Sequence, residues 1–170
     1  MATNPRDIAS RQFIAVKING KNYFGNPNET ILDVAKKNGI EIPHLCYKEG
    51  MRPDGNCRVC MVEIEGERVL QPSCVRTITD GMTINTNSSR VVSSQKLVLE
   101  LLSSDVSDKI YNKKSELADW AEKLGIKRNR FPSNVHEKHD LTHPAIAVNL
   151  DACIQCTRCV RACREEQVND

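Results

Sequence analysis

Between residues 12 and 26, in QFIAVKINGKNYFGN, apolar positions alternate with polar ones, with Phe13, Ile14 or Ala15, Val16 and Ile18 leading up to Asn19-Gly20. A period of two marks a half-buried strand, and an Asn-Gly pair between two such runs predicts a hairpin with a two-residue turn. The period then lengthens. In TILDVAKKNG, Thr30 is a candidate N-cap with Asp33 three residues on; Ile31, Val34 and Ala35 share a face, and Gly39 stands where a helix end accepts positive φ. These signals predict a short helix. Alternation returns in CMVEIEGERVL, which predicts two strands about a turn at Gly66, and in GMTINTNS, which predicts one more. Strands, a helix and further strands make an α+β lobe over residues 1–87.

Beyond it the period is helical. Val91, Val98, Leu101 and Leu102 recur at helix spacing, as do Leu117, Trp120, Ala121 and Leu124 before Gly125, so residues 88–124 read as two amphipathic helices packed through ordinary core stripes. Residues 126–143, IKRNRFPSNVHEKHDLTH, are polar and aperiodic and read as a linker, making 88–143 a helical connector and linker. Apolar extended chain follows in PAIAVNLDA, and then a cysteine run; residues 144–170 form a third segment.

Composition changes this picture in two ways. Aromatic residues make up only 4% of the chain, so small lobes stapled by bound metal are favoured over one large core. The net charge is +2 and does not segregate, with 11 Lys/Arg against 10 Asp/Glu in residues 1–87 and 13 against 12 in residues 88–170. That balance argues against a nucleic-acid partner. The N-terminus has no basic start followed by an apolar stretch and no twin arginine, and nowhere is an apolar run long enough to span a bilayer. The chain therefore reads as cytoplasmic, without membrane insertion. In that compartment thiols stay reduced, and eight cysteines in two groups point to metal rather than disulfides.

Cys46, Cys57, Cys60 and Cys74 are spaced C-x10-C-x2-C-x13-C. Two residues between Cys57 and Cys60 let one loop present both sulfurs to a single centre, and Gly55 just before them permits a tight backbone. Amide hydrogens in such a loop can point at the sulfurs and stabilise their charge. By spacing alone an iron-sulfur cluster and an all-cysteine zinc site both remain open, as do four buried, unliganded cysteines. The terminal run places Cys153, Cys156, Cys159 and Cys163 at C-x2-C-x2-C-x3-C, a stepped spacing that suits a 4Fe-4S cluster and that zinc rarely uses.

The stretches TILDVAKKNGIEIPHLCY, GNCRVCMVEIEG and QPSC resemble the N-terminal 2Fe-2S domain shared by the large iron-sulfur subunit of NADH:quinone oxidoreductase, the diaphorase part of NAD-linked hydrogenases and the α subunit of NAD-dependent formate dehydrogenases. The resemblance implies a β-grasp ferredoxin-like fold over residues 1–87, with Cys46, Cys57, Cys60 and Cys74 as the ligands of a 2Fe-2S cluster. The stretch HPAIAVNLDACIQCTRCVRACREEQVND is most similar to the α subunit of molybdenum- or tungsten-dependent formate dehydrogenases. There Cys153, Cys156 and Cys159 would hold one 4Fe-4S cluster and Cys163 would point to a second, supplied by further sequence; the competing expectation is that Cys163 closes a lone site. On the first reading residues 144–170 are a truncated ferredoxin-type domain.

The implied role is to relay electrons between a molybdopterin catalytic domain and a flavin/NAD-binding diaphorase subunit. No residue of this chain is a candidate for breaking the C–H bond of formate. The alternatives are the same module in a hydrogenase or NADH:quinone oxidoreductase, and a zinc-stabilised interaction protein. The family pattern breaks between the two cysteine sets, where most relatives carry a cluster held by one His and three Cys. Here residues 75–152 hold no cysteine, and His136, His139 and His143 read as solvated loop histidines. Arg58 and the KRNR run at 127–130 read as surface charges.

Overall fold

A computed structural model describes residues 13–106, 115–127, 130–135 and 139–168. Most of the N-terminal segment, His136 and the middle of the KRNR run lie outside them. The chain forms two compact units, one of residues up to Ile42 together with Cys60–Val91, the other of Pro43–Val59 with the chain from Val92 onward.

In the first unit β1 (Ile14–Ile18) and β2 (Lys21–Gly25) form the expected hairpin. The register pairs Ile18 with Lys21, and the two loop residues, Asn19 and Gly20, have φ of +50° and +83°. Two successive left-handed residues make the turn whose twist matches that of the strands, and only Asn-Gly-like pairs take it cheaply. The inward phase is set by Val16 and Ile18, both buried, while Phe13 is exposed. β3 (Met61–Ile64), β4 (Gln71–Pro72) and β5 (Met82–Asn85) complete a five-stranded sheet in the order β2-β1-β5-β3-β4. β1 and β5 run parallel, with Val16 opposite Met82 and Ile18 opposite Ile84; the other pairs are antiparallel. The unit is thus a mixed α/β fold.

α1 (Ile31–Lys37) starts in a capping box. The Asp33 N–H donates to Thr30 Oγ1 at 3.1 Å while Asp33 Oδ2 accepts from the Thr30 N–H at 3.0 Å, satisfying two of the donors a helix start leaves free. Asn38 caps the C-terminus and Gly39 follows at φ +69°, as its position predicts. Leu32 is buried along with the expected Ile31, Val34 and Ala35. Two expectations change here. The strand after Gly66 shrinks to Gln71–Pro72, because the Glu67 carboxylate is taken by Gln71 Nε2 at 2.6 Å and Arg76 Nη2 at 2.8 Å, which folds the intervening residues into a loop. In α2 (Ser89–Ser104) the fully buried leucine is Leu99, and Leu101 is 44% exposed.

The core of the second unit gathers Leu45, Val59, Leu99 and Leu117, with Trp120 packed against them from α3 (Glu116–Lys123). α3 ends at Gly125 with φ +69°. The predicted linker contains a strand, β6 (Asp140–His143), paired antiparallel with β7 (Ile146–Val148). Every residue of β6 is exposed, so backbone pairing rather than side-chain burial defines it, and polar sequence carries no sign of that. After a 3-10 turn at Leu150–Ala152 comes α4 (Arg158–Arg161), which runs into a π turn at Ala162–Glu166.

Candidate metal centre

The first cysteine set is built by two local arrangements, one in each unit. In the first unit, β3 and β4 pair with Met61 opposite Pro72, so Cys60, just before β3, and Ser73, just after β4, lie on the same ladder, and the Ser73 N–H donates to Cys60 O at 3.0 Å. Cys74 is the next residue. Its turn is fixed to the start of α1, where the Leu32 N–H donates to Ser73 O at 3.0 Å and the Ile31 N–H to Arg76 O at 2.9 Å. Two of the helix's free donors are thereby spent on the loop that carries Cys74. Cys60 and Cys74 are buried at 1% and 0% exposure.

In the second unit, the chain between Cys46 and Cys57 closes on itself. The Cys46 N–H donates to Cys57 Sγ at 3.3 Å and the Cys57 N–H to Cys46 Sγ at 3.5 Å. Such N–H···S contacts are the means by which a protein stabilises charge on ligand sulfur. Gly50, Gly55 and Arg58 adopt φ of +86°, +63° and +58°. The two glycines take this conformation freely; at Arg58, between Cys57 and Cys60, it is the uncommon left-handed form of a side-chain-bearing residue. The hydrogen bond with the Cys46 side chain, and then burial, push the Cys57 thiol far up, against backbone hydrogen bonds from Val59 and Cys46 that pull it down. Without metal the Cys57 thiol holds its proton, and metal binding would release it.

None of the eight cysteines forms a disulfide among the described residues; they are buried at Cys46, Cys60 and Cys74, partly buried at Cys57, Cys153 and Cys156, and exposed at Cys159 and Cys163. In the terminal run, Gln155 and Thr157 stand between the cysteines at φ of +53° and +63°, turning the loop twice before α4. Among the described residues no three or more His, Cys, Asp or Glu side chains gather closely enough to hold a metal ion. His143, on β6, accepts the Ala145 N–H at Nδ1 at 3.1 Å, and His139 Nε2 lies 3.9 Å from Asp151 Oδ2. Arg58 is exposed, as read from the sequence. No helix among the described residues is long and apolar enough to cross a membrane.

The donor chemistry of the first set fits a 2Fe-2S cluster. It offers four thiols, three of them shielded from water and none in a disulfide, and two of the sulfurs already accept backbone N–H groups. Arg158 and Arg161 are drawn into the same unit, against the loop that holds Cys46, and belong to no motif read from the sequence. Their three-residue spacing inside the cysteine run was the available signal.

Comparison with known proteins agrees with this chemistry. Residues 11–89 match the 2Fe-2S iron-sulfur cluster binding domain. The chain is 37% identical over 161 residues to an NADH-quinone oxidoreductase subunit of Rhizobium meliloti (strain 1021), covering 89% of this chain and 19% of that protein. It is 39% identical over 165 residues to the NADP-reducing hydrogenase subunit HndD of Solidesulfovibrio fructosivorans, covering 91% of this chain and 28% of the relative. To the formate dehydrogenase homologue YrhE of Bacillus subtilis (strain 168) it is 31% identical over 167 residues, 92% of this chain and 17% of the relative. The chain thus spans less than a third of the length of these relatives. Among solved structures it superposes on the crystal structure of NAD+-reducing [NiFe]-hydrogenase in the H2-reduced state with a TM-score of 0.81 and 27% identity, over 92% of this chain and 68% of that one. Over residues 11–89, therefore, this protein carries a 2Fe-2S iron-sulfur cluster binding domain like that of NADH-quinone oxidoreductase, NAD-reducing hydrogenase and formate dehydrogenase homologues.

Proposed function

We propose that this chain is the iron-sulfur electron-transfer module of an NAD-linked oxidoreductase, with Cys46, Cys57, Cys60 and Cys74 holding a 2Fe-2S cluster on a β-grasp fold. The observation that carries the reading is the coincidence of that cysteine set with the matched domain at residues 11–89. A bound cluster supplies one-electron oxidation and reduction. The chain's own part is to hold the sulfurs, donate N–H groups to them and keep water away. Cys153, Cys156, Cys159 and Cys163 are proposed as 4Fe-4S ligands, with Cys163 serving either this cluster or a second one.

The terminal stretch favours a formate dehydrogenase α subunit as the parent, with a molybdopterin domain and a flavin/NAD diaphorase subunit as its electron partners, in the cytoplasm. A second reading, the equivalent module of a hydrogenase or quinone oxidoreductase, draws on the higher identities of 39% and 37% against 31%. Which of formate, hydrogen or NADH reduces the clusters of the complete enzyme separates these parents.

The module itself is tested by iron and acid-labile sulfide analysis with EPR of the dithionite-reduced, anaerobically prepared chain. A colourless, zinc-loaded protein would end the redox reading. Cys57→Ser is expected to abolish the 2Fe-2S signal and leave any 4Fe-4S signal in place. Joint loss of both signals would mean that the two sites are not independent.

A further inference from the structure

Arg161 is 5% exposed, the most buried charged residue among those described. Its guanidinium donates three hydrogen bonds. Nη2 donates to Cys46 O, Nη1 to Arg52 O at 2.5 Å and Nε to Thr157 Oγ1 at 3.3 Å. The carboxylate facing it, Asp54 Oδ2, stands 4.0 Å away and also accepts from Thr157 Oγ1 at 2.7 Å. Two neighbours in the same run make parallel attachments: Arg158 Nη2 donates to Tyr47 O at 2.8 Å, and Asn56 Nδ2 donates to Gln155 O at 2.8 Å.

A guanidinium taken this far from water is costly unless its donors are satisfied. Here they are satisfied mainly by neutral carbonyl dipoles, with an off-contact carboxylate, so the positive charge is only partly offset. Arginine suits the place because its planar fork reaches two carbonyls at once, whereas a lysine ammonium is a single point donor on a flexible stem. The carbonyls it grips, those of Cys46 and Arg52, belong to the segment that closes between Cys46 and Cys57. Net charge and hydrogen bonding around the sulfurs are the levers by which a protein sets a cluster's potential.

We propose that Arg161 is a positioning residue for the first cysteine set: its fork fixes the Cys46–Arg52 segment so that the Cys46 sulfur is held in place, and its buried charge favours the reduced cluster. The proposal rests on the reading of Cys46 and Cys57 as cluster ligands.

The test uses the full chain, loaded anaerobically, in redox titrations followed by EPR, with iron content and circular dichroism measured alongside. In Arg161→Met the reduced-to-oxidised ratio at a fixed potential should fall at least about tenfold, which for a one-electron couple is about 59 mV. Loss of the cluster with the fold retained would equally support the positioning role. Arg161→Lys keeps the charge and should shift the ratio less than about threefold, while binding less iron because one ammonium cannot grip both carbonyls. Wild-type potential, line shape and iron content in Arg161→Met would overturn the proposal. If Arg161→Met does not fold, Arg161→Lys decides: lower iron content in a folded chain supports the fork, and wild-type content refutes it. Unfolding of both variants would make Arg161 a general stability residue and would also overturn it. Absence of any 2Fe-2S signal in the wild type would defeat the ligand reading, and the proposal with it; a wild-type signal unmoved in Arg161→Met defeats the proposal alone.

Discussion

Leu99→Ala probes the packing that holds the loop bearing Cys46 and Cys57. Leu99 is fully buried and shares a core with Leu45 and Val59, each of which adjoins a cysteine of the first set, and with Leu117 from α3. The substitution removes three carbons, which at about 0.8 kcal/mol per buried methylene forfeits about 2.4 kcal/mol of transfer free energy. The void left behind adds to this, placing the total at about 2.7–5 kcal/mol. That is a large share of the roughly 5–15 kcal/mol that stabilises a typical domain. Trp120, the single tryptophan, packs against the same core and reports on it by fluorescence. Urea titrations of the wild type, Leu99→Ala and Leu101→Ala supply the comparison. Leu101 sits on the same helix but is 44% exposed, so its truncation should cost no more than about 0.5 kcal/mol. Equal losses for the two leucines, or a Leu99→Ala loss below about 1 kcal/mol, would refute the assignment of Leu99 to this core.

Gly25→Ala should destabilise the first unit by about 1–3 kcal/mol through overpacking, since a Cβ there would lie 2.5 Å from Ile78 Cδ1 and 2.8 Å from Val34 Cγ2. Both neighbours are buried and have little room to retreat; a urea midpoint unchanged from wild type would contradict this. Burial raises the Glu29 pKa, but hydrogen bonds from Lys37 and Asn26 outweigh it and hold the carboxyl below its ordinary 4.5. A depressed carboxylate stabilises the fold fully above its unfolded value and loses that contribution as pH falls through the folded one. Wild-type stability should therefore drop between about pH 6 and about pH 3 more steeply than that of Glu29→Gln, and parallel profiles would refute the pairing.

The elements that could be read from the sequence are those specified by neighbours in the chain. The Asn19-Gly20 turn, the Thr30–Asp33 capping box and the Gly39 and Gly125 helix ends each depend on a few adjacent residues with fixed backbone preferences, and all four appear as expected. The spacing of Cys57 and Cys60 is local in the same sense, and it points to metal without reference to the fold. By contrast, periodicity named a stripe on α2 but not the depth of each residue in it, because Leu99 and Leu101 differ only in what faces them. β6 exists through its hydrogen bonds to β7, which leave no hydrophobic trace.

The grip of Arg161 on the carbonyls of Cys46 and Arg52 spans more than a hundred residues of sequence. No local preference encodes such a contact. The sequence by itself determined which cysteines are grouped and which short segments turn, cap or extend, since those follow from steric and hydrogen-bonding rules within a few residues. Which leucine is buried, how the Cys74 turn is fixed to α1 and which arginine is enclosed against the cysteine loop were decided only by tertiary structure, because burial and long-range hydrogen bonds belong to pairs of segments rather than to either one.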